Sequence, residues 1–129
     1  MEDKVAILIP AYNEAKSIGN LVSEVRKIVA DVFVVDDGST DGTGKIAQEN
    51  GAIVIRHSVC MGKGAALKTG FEYLKNLHFN QFITMDGDGQ HLPSDIHIFL
   101  KVLKENKRAG IIVGKRKIIG TKGKDKVNF

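Results

Sequence analysis

The stretch Val5-Ala6-Ile7-Leu8-Ile9-Pro10, followed by Ala11-Tyr12-Asn13-Glu14, decides the fold. Five apolar residues in a row, without the polar alternation of a half-exposed strand, read as a strand buried on both faces and closed by Pro10. After it, Ile18, Leu21, Val22, Val25, Ile28 and Val29 recur at spacings of three and four, which puts one apolar stripe on a helix. Asp31 interrupts, and Val32-Phe33-Val34-Val35 gives a second strand. A strand, an amphipathic helix and another fully apolar strand form the unit of a parallel sheet.

The rhythm continues outward. Residues 43–50 predict a short helix stopped by Gly51, and Ala52-Ile53-Val54-Ile55 a third strand. Residues 64–77 predict a helix with Leu67, Phe71 and Leu74 on one face, and Phe82-Ile83-Thr84-Met85 a fourth strand. Pro93 suits the first turn of a helix whose stripe is Ile96, Phe99, Leu100 and Leu103, and Ile111-Ile112-Val113 makes a fifth strand. The expected fold is α/β, an open, mostly parallel twisted sheet with flanking helices. Ligands of such sheets sit outside the carboxyl ends of the strands. The polar clusters at 12–14, 36–39 and 86–90 follow strands one, two and four directly, so they are expected to meet at one edge.

The chain has 129 residues, 43% of them hydrophobic, with one Cys and a formal net charge of +4. That composition fits one globular domain with a core large enough to need no disulfides. A lone Cys60 forms no internal bridge, and no apolar run approaches the roughly 20 residues of a membrane helix. The start of the chain does not read as a signal peptide, and the expectation is an intracellular, reducing setting. The positive charge is uneven: Lys115, Arg116, Lys117, Lys122, Lys124 and Lys126 oppose only Asp125, and the rest of the chain is nearly neutral. Residues 1–117 are therefore taken as the domain and 118–129 as a solvated basic tail, with no nucleic acid as partner.

Several chemical readings compete. Asp86 and Asp88 stand two apart on chain leaving a strand, so in extended backbone they project to one side. With Gln90 they offer hard oxygen ligands to Mg²⁺ or Mn²⁺, whereas the same residues in a Gly-rich turn could simply be solvated. An EF-hand loop fails, because Gln90 and His91 stand at its third ligand and glycine positions and His97 replaces the closing Glu. Gly42-Thr43-Gly44-Lys45-Ile46-Ala47 matches a dinucleotide fingerprint, but on the second strand's turn instead of the first. Asp41 and Thr43 suit helix capping. Gly62-Lys63-Gly64 opens a helix and could face phosphate through backbone amides and Lys63, yet it is no P-loop, since His57 stands at its first glycine and Gly64 follows the lysine. His57, His78 and His97 lack metal spacing, and Cys60 and Ser39 lack the context of a nucleophile.

Taken in order, I-P-A-Y-N-E at 9–14, V-V-D-D-G-S-T-D-G-T at 34–43, G-K-G-A-A-L-K-T-G at 62–70 and M-D-G-D-G-Q-H at 85–91 resemble the family 2 glycosyltransferases. The nearest likeness is to the dolichyl-phosphate (polyprenyl-phosphate) mannose or glucose synthases, over roughly residues 4–117. The resemblance implies a type A glycosyltransferase fold whose Rossmann-like half binds a nucleoside-diphosphate sugar with Mg²⁺ or Mn²⁺. Under it, Pro10, Tyr12 and Glu14 hold the nucleoside, and Asp37 meets base or ribose with Val35 nearby. Asp86 and Gly87 lie against diphosphate and sugar, Asp86 and Asp88 are the catalytic pair, Asp86, Asp88 and Gln90 reach the metal, and Arg116 faces phosphate.

Those synthases usually read D-A-D where Asp86-Gly87-Asp88 stands, and they continue for about a hundred residues more, a length beyond one half-domain. The resemblance therefore covers the donor half, and the acceptor half is not expected within these 129 residues. The expected activity is inverting transfer from GDP-mannose or UDP-glucose to dolichyl or polyprenyl phosphate, by a cytoplasmic protein peripheral at the cytoplasmic membrane face. An anionic phosphate acceptor needs no general base. The alternatives are a transferase acting on a saccharide hydroxyl, and a non-catalytic nucleotide-sugar-binding subunit. A partner or a second copy completing the acceptor site belongs with these readings.

Overall fold

The computed structural model describes residues 5–88, 95–105, 111–113, 119–121 and 126–128. The order is β1 (Val5–Ala11), α1 (Ala15–Arg26), β2 (Val32–Asp36), α2 (Thr43–Glu49), β3 (Ile53–Arg56), α3 (Lys63–Asn76), β4 (Gln81–Thr84), α4 (Ile96–Glu105), β5 (Ile111–Val113), β6 (Ile119–Thr121) and β7 (Lys126–Asn128). They build one sheet in the order β3-β2-β1-β4-β5-β7-β6. All pairings are parallel except β6 with β7. Residues 118–129, taken from the sequence as a basic tail, thus carry two strands that the reading of five strands did not foresee.

Alternation along the central strands sorts the core into two layers. Ile7, Ile9, Val32, Val34, Ile83 and Met85 pack with Ile18, Leu21, Val22 and Val25 of α1, Ala47 of α2, and Ile96, Phe99 and Leu103 of α4. Ala6, Leu8, Phe33 and Val35 face the other way, onto Ala66 and Leu74 of α3. The expected stripe of α3 is rotated: Ala66, Gly70 and Leu74 are buried, with Leu67 and Phe71 half-buried beside them. Closeness is the reason. A Cβ at Gly70 would lie 2.5 Å from Leu8 Cδ1, so helix and sheet approach most closely at this position.

β1 also runs further than expected, through Pro10 to Ala11, paired with β2 as far as Ala11 and Asp36. The ladder to β4 stops earlier, at Leu8 and Thr84. Hydrogen bonds explain the difference. Ile7 N–H donates to Asp31 O and Ala11 O accepts from Asp37 N–H, both on the β2 side, whereas Leu8 O accepts from Met85 N–H on the β4 side. Backbone polar groups alternate sides along a strand, so position 10 owes its donor to β4. Proline has none, and the β1–β4 ladder ends there while β1–β2 continues. The two chains are free to part at their carboxyl ends. The order of strands reverses at this same point, β1 having β2 on one side and β4 on the other.

Candidate active site

A cavity of about 290 Å³ opens where β1 and β4 part, lined by Pro10, Ala11, Tyr12, Glu14, Asp37, Lys63, Ala66, Asp86, Gly87 and Asp88. Eight of the residues singled out in the sequence therefore share one cleft: Pro10, Tyr12, Glu14, Asp37, Lys63, Asp86, Gly87 and Asp88. Val35 does not join them, since it is fully buried in the layer beneath α3, in register with Pro10. Gln90 and Arg116 lie outside the described residues. Ala11 and Ala66 line the cleft without having been marked in advance, because a small apolar residue carries no chemical signal.

The β1–α1 turn is built by side chains from the loop after β2. Asn13, at φ 51°, donates its N–H to Ser39 Oγ at 2.8 Å, and Glu14 and Ala15 donate theirs to Thr43 Oγ1 at 2.9 Å and Asp41 Oδ2 at 3.1 Å. The unpaired amides at the start of α1 are thus capped from 26 to 29 residues away. Asp41 also accepts from Thr43 N–H at the start of α2, and the Thr43 hydroxyl leads the interactions that lower the pKa of its carboxyl. Asp36, fully buried, accepts from Ser39 N–H and Gly44 N–H and pairs with Arg56. Much of the D-D-G-S-T-D-G-T motif is therefore scaffold.

Asp37 is buried at one wall of the cleft, and both of its oxygens are engaged. Oδ1 accepts from Met61 N–H at 2.8 Å and lies 2.7 Å from His57 Nδ1, while Oδ2 accepts from Gly62 N–H at 2.8 Å and from the Cys60 thiol at 3.4 Å. Burial by itself raises its pKa, but the bonds from His57, Met61, Gly62 and Cys60 outweigh that and hold it at about 2. An ionised Asp37 carboxylate accepts the His57 Nδ1 proton, and His57 Nε2 meets Thr69 Oγ1 at 2.8 Å on α3. This carboxylate ties the loop at 57–62 to the end of β2.

Across the cleft, Ser17 Oγ donates to Gly87 O at 2.7 Å, joining the first turn of α1 to the Asp86-Gly87-Asp88 segment. Gly87 has little room: an added Cβ would lie 3.0 Å from Ala11 Cβ and 3.4 Å from Pro10 O. Lys63 Nζ lies 2.5 Å from Asp86 Oδ1. Burial raises the pKa of Glu14, and the charges of Asp88, Asp41 and Asp86 raise it further, against the Ser17 hydrogen bond that lowers it. Among the described residues, the cleft floor is thus an electronegative surface facing Lys63.

These donors suit a hard divalent cation. Asp86 and Asp88 line the same space as Glu14, whose pKa their charges help to raise. Among the described residues no group of three or more His, Cys, Asp or Glu could enclose a metal ion. A cation held by this pair would keep open positions for other oxygens, as sites for Mg²⁺ bound with phosphates do.

Comparison with known proteins agrees with this architecture. The family model described as Glycosyl transferase family 2 matches residues 6–128, and the chain belongs to that family. It is 31% identical over 126 residues to the undecaprenyl-phosphate mannosyltransferase of Micrococcus luteus, covering 92% of this chain and 51% of that protein. It is 35% identical over 136 residues to the UDP-N-acetylglucosamine–dolichyl-phosphate N-acetylglucosaminyltransferase of Methanococcus voltae, covering 90% of this chain and 53% of that one. The fold matches glucosyl-3-phosphoglycerate synthase of Mycobacterium tuberculosis, solved with Mn²⁺, UDP-glucose and phosphoglyceric acid, with a TM-score of 0.70 at 22% identity over 88% of this chain and 43% of that one. The chain spans about half the length of these relatives.

Proposed function

We propose that this chain is the donor-binding half of a metal-dependent hexosyltransferase that moves a sugar from a nucleoside diphosphate to a polyprenyl or dolichyl phosphate. The observation that carries the reading is the convergence of eight sequence-marked residues on one cleft at the point where the strand order reverses. Tyr12, 46% exposed on the rim above Pro10, offers a ring face to the nucleobase. Asp86 and Asp88 hold the Mg²⁺ or Mn²⁺, and Gln90 and Arg116 add a ligand and a phosphate contact. When bound, the ion supplies positive charge against the departing diphosphate. Lys63 adds its ammonium to the same oxygens. The acceptor phosphate attacks the anomeric carbon opposite the leaving group, the bond from that carbon to the diphosphate oxygen breaks, and no proton has to be removed from the nucleophile.

The named activities of the two relatives, both on lipid phosphates, support this acceptor over a saccharide hydroxyl. No described helix is long and apolar enough to cross a membrane; a lipid-phosphate acceptor would bring the chain to the cytoplasmic membrane face. A second reading is a nucleotide-sugar-binding subunit completed by a partner or a second copy.

Calorimetry with UDP, GDP, UDP-glucose and GDP-mannose, each with and without Mn²⁺, tests the proposal, followed by turnover with polyprenyl phosphate. Metal-dependent binding that disappears in Asp88→Ala is expected. Unchanged affinity in that variant would overturn the metal assignment. Binding without turnover selects the subunit reading.

A further inference from the structure

His57 stands behind the cleft wall and does not line it. Its N–H donates to Asp36 O at 2.9 Å, just past the paired residues of β2 and β3. Its side chain, only 10% exposed, lies between the Asp37 carboxylate and the Thr69 hydroxyl on the second turn of α3. Asp37, with its pKa held at about 2, is ionised and can only accept, so Nδ1 carries a proton whatever the charge of the ring. Nε2 then accepts from the Thr69 hydroxyl in the neutral ring and donates to it in the charged one. A hydroxyl can do both, so the bridge from Asp37 through the imidazole to α3 stays closed in either form.

The loop at 57–62 is not anchored by its own large apolar side chains, since Val59 is 64% and Met61 61% exposed. Its backbone presses instead on the turn after β2, where a Cβ at Gly38 would lie 2.5 Å from Val59 C and from Cys60 N. Met61 N–H and Gly62 N–H end on Asp37. The next residue, Lys63, starts α3 and lines the cleft together with Ala66 one turn on. The imidazole and the carboxylate thus grip the two ends of one loop, and Thr69 ties the same ring to the helix that carries Lys63 and Ala66. Where the ring sits decides where this wall of the cleft stands.

We propose that His57 is a positioning residue: bridging Asp37 and Thr69 through its two ring nitrogens, it holds the Lys63–Ala66 wall in the place where that wall meets the nucleoside diphosphate. This rests on the donor-binding reading above and adds to it a residue from outside the cleft lining. A loop and helix released from the ring spread over several arrangements, and the donor then has to select one of them, which weakens binding without removing any donor contact.

The test measures UDP and GDP binding to the full chain with Mn²⁺ present, in wild type, His57→Phe, Thr69→Val, Thr69→Ser and Val29→Ala, together with amide exchange at Met61 and Gly62. Thr69→Val keeps the shape and removes the hydroxyl, whereas Thr69→Ser keeps the hydroxyl. Val29→Ala trims a side chain in the opposite core layer and so lowers stability without touching the bridge. His57→Phe and Thr69→Val are expected to bind the nucleotide about three- to tenfold more weakly than wild type, as the loss of a hydrogen bond implies, and to exchange both amides faster. Thr69→Ser and Val29→Ala stay within about twofold of wild type, the first because the bond is restored and the second because the site is distant. If His57→Phe does not fold, the two Thr69 variants carry the comparison. Thr69→Val binding as tightly as wild type, or Thr69→Ser binding as weakly as Thr69→Val, would overturn the positioning role and leave the donor reading standing. Nitrogen-15 shifts of the His57 ring showing an Nδ1 without a proton would overturn it as well. If wild type binds neither nucleotide, both fall.

Discussion

Replacing Asp37 by Asn isolates what one buried carboxylate does for the cleft. The variant keeps shape and volume but turns one oxygen into a donor, and that donor then faces two others, either Gly62 N–H and the Cys60 thiol or Met61 N–H and His57 Nδ1. At least one backbone amide of the 57–62 loop loses its acceptor, at a cost of roughly 1–3 kcal/mol where water does not reach it. The lowered pKa expresses the same bonds as a preference for charge. A fall from the ordinary 3.8 to about 2 corresponds to about 2 kcal/mol of preference for the ionised form in the folded chain. A depressed carboxyl contributes stability that is complete above its unfolded pKa and disappears as pH falls through the folded one. The contribution is therefore full at pH 7, about half gone at pH 3, and absent below about 2. Urea unfolding of wild type and Asp37→Asn at pH 7 should differ by about 2 kcal/mol, with the gap narrowing between about pH 4 and pH 2. A gap below about 0.5 kcal/mol at pH 7, or one that does not change with pH, would refute the idea that Asp37 clamps this loop as an anion.

Two further substitutions test the walls of the cleft. Ser17→Ala removes the hydrogen bond to Gly87 O, and the variant should lose about 1 kcal/mol in urea unfolding and bind Mn²⁺ severalfold more weakly by calorimetry. Gly70→Val drives a branched side chain into Leu8, whose Cδ1 would already lie 2.5 Å from an added Cβ, and should lower stability by about 1–3 kcal/mol. Gly70→Ala separates the effects, because the gain in helix propensity, about 1 kcal/mol, offsets part of the overlap.

The alternation of strands and helices was legible because each buried strand is a run of apolar residues and each helix carries one stripe, and both are local patterns. What failed was set by distance in space. On α3 the expectation of Leu74 in the core held, but Leu67 and Phe71 were taken as buried where Ala66 and Gly70 are, because Gly70 meets Leu8 so closely that a Cβ there would lie 2.5 Å from it. The strands β6 and β7 were missed because lysines dominate residues 115–126 and conceal three-residue strands whose pairing is made across the sheet edge. Most of the candidate site was legible as four ordered motifs. Its supports were not: Ser17 carries no motif signal, and its partner Gly87 stands 70 residues away. Asp37 was marked for a ligand, yet the structure engages both of its oxygens with protein donors, four in all, supplied by residues 20 to 25 positions downstream.

Pro10 shows how a single residue type joins fold to site. In the centre of a sheet a proline is ordinarily excluded, since it deletes a rung of the ladder. Here the deleted rung is the one that would tie β1 to the residue after β4, so the ladder stops at Leu8 while β2 still holds β1 through Ala11. The parted backbones leave room for Asp86, Gly87 and Asp88 to turn across the end of β1, close enough that Gly87 packs on Ala11 and the Pro10 carbonyl. Strand reversal makes a crevice at this edge in any sheet of this order. The proline fixes how deep it runs, and the Ser17 bond to Gly87 fixes how far its acidic wall stands from α1. The cleft at this edge therefore depends on a missing backbone hydrogen as much as on the carboxylates that face into it.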